Sequence, residues 1–270
     1  MKVAFSTLGC PEWSWSEILA TAKDLGFDGI EVRGIGKELY APAAGPFSED
    51  SIDATKERLA SLKLEIPLLS SSCCLSEKDR VEKNMKEAME YVDLAQKLGV
   101  PYVRVLGDRE PCPGTDADFM LVFENVAAIS QYAESRGVAI LLETNGIFAK
   151  SGNIASLMEK SARKNLGVLW DVHHPYRFFN EPVETTFGVL KDYVRFVHIK
   201  DSALEGGKIR YKMMGHGDVP VEDALKLLKK NRFEGYVSLE WVKRWCMDLE
   251  DPWIVYPHFV DYVRKVLGQW

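Results

Sequence analysis

Eight short runs of apolar and β-branched residues recur down the whole chain, and this repetition limits the fold more than any other feature. They are Val3–Leu8, Gly29–Arg33, Glu65–Ser70, Tyr102–Leu106, Val138–Glu143, Gly167–Asp171, Val194–Ile199 and Tyr236–Glu240. Their starts fall 26 to 42 residues apart. Most read as continuous apolar strands, as expected when both faces of a parallel sheet are buried.

Segments with helical periodicity separate the runs. Ser14 and Glu17 have capping-box spacing ahead of an amphipathic stretch that reaches Leu25 and is closed by Gly26. Helices are predicted over Ser48–Leu62, Glu77–Leu98 and Asp118–Arg136, the last two stopped by Gly99 and Gly137. Shorter ones fit Ile154–Arg163, Val183–Asp192, Val221–Lys230 and His258–Leu267. Leu25–Val32 and Leu98–Val105 echo one another as helix end, glycine and strand. Eight strands alternating with eight helices predict an α/β fold, a (β/α)8 TIM barrel forming a single domain over residues 1–270. A doubly wound open sheet is the alternative, but no Gly-x-Gly-x-x-Gly or phosphate-binding loop follows the first strand. The Gly34–Pro46 segment, rich in Gly, Pro and Ala, is suited to a flap over the barrel mouth.

Composition narrows the function. Lys and Arg number 34 against 40 Asp and Glu, a net charge of −6, which argues against a partner with a phosphate backbone. The five cysteines, at 10, 73, 74, 112 and 246, are odd in number and form no Cys-x-x-Cys pair, so a disulfide framework is not expected and a reducing compartment is. The N-terminal run lacks the apolar core of a signal peptide, and no stretch of about 18 apolar residues occurs, so a cytoplasmic protein with no membrane partner is expected.

In a barrel, reactive groups sit where strands end. The fifth run ends in Glu143, the sixth in Asp171, the seventh carries His198 and the eighth ends in Glu240. Carboxylates converging on one mouth repel unless they take up protons or share a cation. Three carboxylates and an imidazole suit a divalent ion such as Mn2+, Mg2+, Co2+ or Zn2+, with open positions left for substrate oxygens.

The pattern Glu143 … Asp171-x-x-His174 … His198-x-Lys-Asp201 … Gly215-x-Gly217 … Glu240 resembles the xylose-isomerase-like TIM-barrel superfamily. Within it the chain is similar to the sugar phosphate isomerase/epimerase group, which includes ketose 3-epimerases, hydroxypyruvate isomerase, inosose dehydratase and 3-dehydroshikimate dehydratase. The resemblance implies metal ligation by Glu143, Asp171, His198 and Glu240, with one divalent ion, Mn2+ first. It also implies a substrate contact at His174 and places Arg210 where relatives keep a substrate-binding arginine. Two departures stand out. The second glutamate of the ketose 3-epimerases is replaced by Ala149, and the histidine that the dehydratases place two residues after the strand-five ligand is Asn145.

Other residues carry weaker signals. An arginine inside an apolar run must find a carboxylate or phosphate, so Arg33 points either to an ion pair with Glu31 or Glu12 or to substrate. Arg104, in mid-strand, reads as a buried structural pair. His173 reads as structural, and His216 as a loop contact or an exposed side chain. Trp13, Trp15, Trp241 and Trp245 flank the first and last runs, where they could line a sugar site or pack a lid. Lys243 and Arg244 could meet an anionic group.

The leading reading is a metal-dependent isomerase or epimerase of a small carbohydrate or polyol. It would move a proton beside a carbonyl through a stabilised enediolate, and the resemblance implies Glu143 and Glu240 as the two bases, acting on opposite faces. The alternative is a lyase, in which the same enolate expels water or a glycosidic group. Endonuclease IV-like cleavage of abasic DNA would need many more than the 5 histidines present. A metal-free sugar-binding relative is disfavoured by the intact ligand set. Exposed aromatic loops suit a homo-oligomer.

Overall fold

The computed structural model describes residues 1–114 and 117–268. Eight parallel strands form the barrel: β1 (Lys2–Ser6), β2 (Gly29–Glu31), β3 (Leu68–Cys74), β4 (Tyr102–Leu106), β5 (Ala139–Glu143), β6 (Leu166–Asp171), β7 (Val194–Ile199) and, after the hairpin β8 (Asp201–Glu205) and β9 (Lys208–Lys212), β10 (Tyr236–Leu239). Their order is β2-β1-β10-β7-β6-β5-β4-β3, and single bridges Gly29–Glu65 and Val32–Leu69 close the ring between its two ends. The fold is therefore the (β/α)8 barrel read from the sequence.

The main helices follow the strands: α1 (Trp15–Leu25), α2 (Ile52–Leu62), α3 (Val81–Leu98), α4 (Phe119–Glu134), α5 (Ser151–Ser161), α6 (His173–Phe179), α7 (Val183–Leu190), α8 (Val221–Lys230) and α9 (Pro252–Leu267). Local chemistry sets their ends. Ser14 and Glu17 make the reciprocal capping box of α1, and Gly26 ends it at φ +72°. Asp118 caps α4 by accepting from the backbone N–H groups of Met120 and Leu121. The helices pack their apolar faces on the outside of the barrel, in a core that includes Ile18, Val92, Ile129, Leu157, Leu225 and Phe259.

Strand β3, helix α9, the β8–β9 hairpin and helix α6 depart from expectation. Strand β3 starts later and runs further than Glu65–Ser70, because Pro67 has no N–H to give to a ladder; Cys73 and Cys74 are thus buried inside β3 rather than after it. Helix α9 begins at Pro252, six residues before the predicted start. Pro257 lies within it and reads as a break in sequence, but it forfeits one bond of a helix already begun with Asp251 as its cap. The hairpin β8–β9 and the one-turn-plus α6 have no counterpart among the predicted elements. All five cysteines are free thiols. Among the described residues, no helix is long and apolar enough to cross a membrane.

Candidate metal centre and substrate cavity

The pleat of the strands builds the site. Inside the barrel, Ala4, Leu68, Leu141, Leu169, Phe196 and Tyr236 form a separate apolar layer, with Tyr102 against it. Side chains two residues apart on a strand share a face. Two residues on from that layer stand Ser6, Ser70, Arg104, Glu143, Asp171, His198 and Ser238, every one buried. One more step gives Lys200 and Glu240, while β2 contributes Glu31 and, just past its end, Arg33. The barrel is thus oily at one end and charged at the other, where strands give way to loops, as barrels of this kind carry their chemistry.

Glu143, Asp171, His198 and Glu240 each bring a potential ligand atom within 4.8 Å of the others. His198 Nδ1 lies 3.7 Å from Glu143 Oε1, 4.0 Å from Asp171 Oδ2 and 3.6 Å from Glu240 Oε1. On its other side, His198 Nε2 donates to Glu31 Oε2 at 2.9 Å. Glu31 is itself held by the hydroxyls of Ser70 at 2.7 Å and Ser238 at 2.8 Å. This buried carboxylate orients the imidazole and turns Nδ1 toward the three acids, the arrangement that outer carboxylates impose on metal-binding histidines. Sequence reasoning missed Glu31; its signal was a lone acid inside the second apolar run.

The charges of the cluster constrain one another. Burial alone would push the Glu31 carboxyl up, but His198 and the two hydroxyls hold it below its ordinary value. For Glu143 burial is likewise outweighed, first by Arg104, whose Nη1 is 3.2 Å from Oε2, and then by His198, so its carboxyl stays low. Burial opposes a charge on His198, yet Glu31 and Glu240 raise it well above the usual imidazole range. Lys200, fully buried, hydrogen-bonds Asp171 and also Glu240 Oε2 at 2.5 Å. Burial would lower its ammonium pKa, but these carboxylates raise it. Lys200 was quoted in the sequence motif without a role.

Among the described residues, His198 Nδ1 is a buried polar atom with no hydrogen-bond partner, whereas Glu143 Oε2 is turned to the Arg104 guanidinium. Such orphans are rare in folded proteins, and one explanation for them is an ion. Three carboxylates and an imidazole within mutual reach fit a divalent cation by donor type and number.

A cavity of about 460 Å³ opens beside the cluster, lined in part by Glu143, Glu240, His174, Lys200, Tyr211 and Arg33. His174 sits on α6, where its Nδ1 is 2.9 Å from the Thr144 carbonyl. Donation to that oxygen leaves Nε2 as an acceptor, 3.6 Å from Asp171 Oδ2. Burial lowers its pKa against the opposing pull of Asp171, which favours the neutral imidazole. His173 is also buried, its Nε2 2.9 Å from Ser202 Oγ, which agrees with a structural role. Arg210 lies on β9 opposite Ala203 and is exposed. The pleat turns its neighbour Tyr211 to the cavity instead, so Arg210 is not part of the lining.

The remaining motif residues are scaffold. Asp201 accepts from the backbone of Gly215, Gly217, Val219 and Ser202, clamping the loop after β9. A Cβ on Gly217 would lie 2.1 Å from Asp201 Oδ1, which is why glycine stands there. His216, between the two glycines, is exposed. Asn145 uses its amide to hold the Asp108 and Glu110 carbonyls, and Ala149 is buried in a 3₁₀ turn. Of the four tryptophans that flank the first and last runs, Trp13 and Trp241 are core, Trp15 packs on Phe47, and Trp245 reaches the cavity. Lys243 and Arg244 are spent on the carbonyls of Leu249 and Gly36.

Residues 19–255 match the profile of the xylose isomerase-like TIM barrel family, and the chain belongs to that family. Over 287 residues it is 21% identical to a fructoselysine 3-epimerase of Shigella flexneri, covering 100% of this chain and 99% of the relative. The fold is shared with a solved structure described as IOLI protein with a binding zinc atom, at a TM-score of 0.79 and 18% identity, covering 98% of this chain and 99% of that one. It is shared as well with the probable 3-DHS dehydratase AsbF of Bacillus anthracis, at a TM-score of 0.76 and 17% identity, covering 100% of this chain and 99% of that one.

Proposed function

We propose that the protein is a divalent-metal-dependent epimerase or isomerase of a small keto-sugar or polyol, with Mn2+ as the first candidate ion. The observation that carries this reading is the convergence of Glu143, Asp171, His198 and Glu240 within 4.8 Å of one another at the wall of a sugar-sized cavity. Likeness along the whole chain to a 3-epimerase supports it. The four side chains would hold the ion; when bound, it supplies the positive charge that acidifies a C–H next to a carbonyl.

The chain's own groups supply the proton traffic. Glu143 and Glu240 end β5 and follow β10, the outer two of four adjacent strands, so their carboxylates enter the cavity from two sides. One takes the proton from a substrate carbon, and the other returns a proton to the opposite face. Arg104 keeps Glu143 ionised and fixes its orientation. Neutral His174 presents Nε2 to a substrate hydroxyl, a contact whose direction is set by the Thr144 carbonyl behind it. Tyr211, whose phenol burial keeps protonated, offers a hydrogen bond from the β9 side.

Incubating the Mn2+-loaded protein in D₂O with a panel of ketohexoses, without nicotinamide, tests this reading. Deuterium should enter the carbon next to the carbonyl of a turned-over sugar, and the epimer should appear. Deuterium uptake with loss of water from the sugar would favour the lyase alternative. No exchange on any ketose, or a strict need for NAD(P), would overturn proton transfer as the chemistry.

A further inference from the structure

Among the described residues, one cation of the cavity has no anion. Arg33 is only 9% exposed, and its Nη1 is a buried atom without a partner among the described residues. Its Nη2 donates to Ser72 Oγ at 2.8 Å, the one hydrogen bond of its side chain among the described residues. The ion pair with Glu31 or Glu12 that the sequence invited does not form. Glu31 is taken by His198, Ser70 and Ser238, and Glu12 is not among the partners. The other cationic side chains of the lining are all matched: Arg104 by Glu143 at 3.2 Å, Arg109 by Glu77, and Lys200 by Asp171 and Glu240.

The charges facing Arg33 do not compensate it. Arg104 is a like charge nearby, while Glu87 and Glu240 act only from beyond ion-pair distance. Glu87 is in addition engaged by the Ser72 backbone N–H at 2.8 Å. The face of Trp245 stands 5.9 Å from the guanidinium carbon, a weak contact at that range, and Trp245 is 57% exposed at the cavity mouth. A buried guanidinium left unpaired is costly, and its planar fork suits a carboxylate or phosphate.

We propose that Arg33 and Ser72 form an anion subsite, and that the substrate is an acidic keto-sugar or polyol whose carboxylate or phosphate pairs with the free edge of the Arg33 guanidinium. The inference rests on the keto-sugar reading above and adds the charge class of the substrate. The subsite and the Glu143–Asp171–His198–Glu240 cluster line one cavity, so a single small molecule can meet both. Arg33 would act as a specificity-determining residue, with no part in the proton transfers.

Calorimetric titration of the Mn2+-loaded protein with D-fructuronate, D-fructose 6-phosphate and D-fructose tests the subsite. These differ only in carrying a carboxylate, a phosphate or a neutral hydroxymethyl group at one end. At least one of the two anions should bind about 10–100-fold more tightly than D-fructose, the worth of a charge-assisted pair, and which one does so names the anion. Arg33→Gln should erase the preference while leaving D-fructose binding as it was, and Arg33→Lys should keep part of it. Because the charge is uncompensated, Arg33→Gln should melt no lower than the wild type in the absence of ligand. Equal binding of all three sugars, a preference that survives Arg33→Gln, or a melting temperature lowered together with weaker binding of every sugar would overturn the proposal. Deuterium exchange into D-fructose, followed in the same samples, reads the parent reading separately. Exchange without anion preference removes the subsite alone, and its absence challenges the keto-sugar reading while the titration still decides the subsite.

Discussion

Glu143→Gln and Glu240→Gln are each expected to lower turnover by roughly 10²–10⁴-fold, the usual worth of a positioned general base. Glutamine keeps an oxygen that can ligate and nearly the same volume, so both variants should still bind a divalent ion, though more weakly. The two should differ in other respects. Glu143 faces Arg104 at 3.2 Å in a buried pair, so Glu143→Gln leaves a guanidinium without its counter-charge and should also cost stability. Glu240 shares Lys200 with Asp171, and its loss leaves that ammonium one partner. Steady-state rates with metal content measured on the same preparations check the pair. Near wild-type turnover in both variants with metal bound would exclude the two-glutamate scheme and move the proton to another group, His174 first.

Lys200→Met should be the most destabilising single change in the cavity when no metal is present. The ammonium lies buried between Asp171 and Glu240, and removing it leaves two carboxylates in the barrel interior without their cation. Breaking a buried pair by deleting one partner costs about 3–5 kcal/mol. A divalent ion bound by the same carboxylates supplies replacement charge. Saturating Mn2+ should therefore recover most of the loss in the variant and raise its stability by more than it raises that of the wild type. Urea unfolding of both proteins, with EDTA and with Mn2+, gives the four free energies needed. An equal metal increment in both would mean that Lys200 and the ion do not share the carboxylates.

The parts of the molecule visible in the sequence are those where one signal dominated. Glu143, Asp171 and Glu240 were legible because each closes a continuous apolar run, and His198 because it interrupts one. The structure brings all four together in the charged layer of the barrel. The same runs held Glu31, Arg33 and Arg104, with Lys200 just past the seventh, and their common inward face follows from a two-residue step along each strand. Arg33 and Arg104 stood out there as charges within apolar runs, but a continuous run does not show which face of the strand a residue takes. Tyr211 was out of reach because β9 is a short, half-exposed strand outside the barrel sheet, paired only with β8. Helix α6 spans only seven residues, too few to show a helical period, so nothing in the sequence signals that His173 and His174 open a helix and are both buried. Arg210 stands one position from Tyr211, which on a pleated strand is the difference between solvent and the cavity.

One ion held by Glu143, Asp171, His198 and Glu240 is tested most directly by a Mn2+ titration of chelator-stripped wild type beside the Asp171→Asn, His198→Ala double variant. The wild type should take up about one ion per chain, as a single mononuclear ligand set requires. The double variant, deprived of the only imidazole in the set and of one charged carboxylate, should bind none under the same conditions while keeping its helical circular dichroism. Unchanged stoichiometry and affinity in the folded double variant would contradict the assignment of the metal centre.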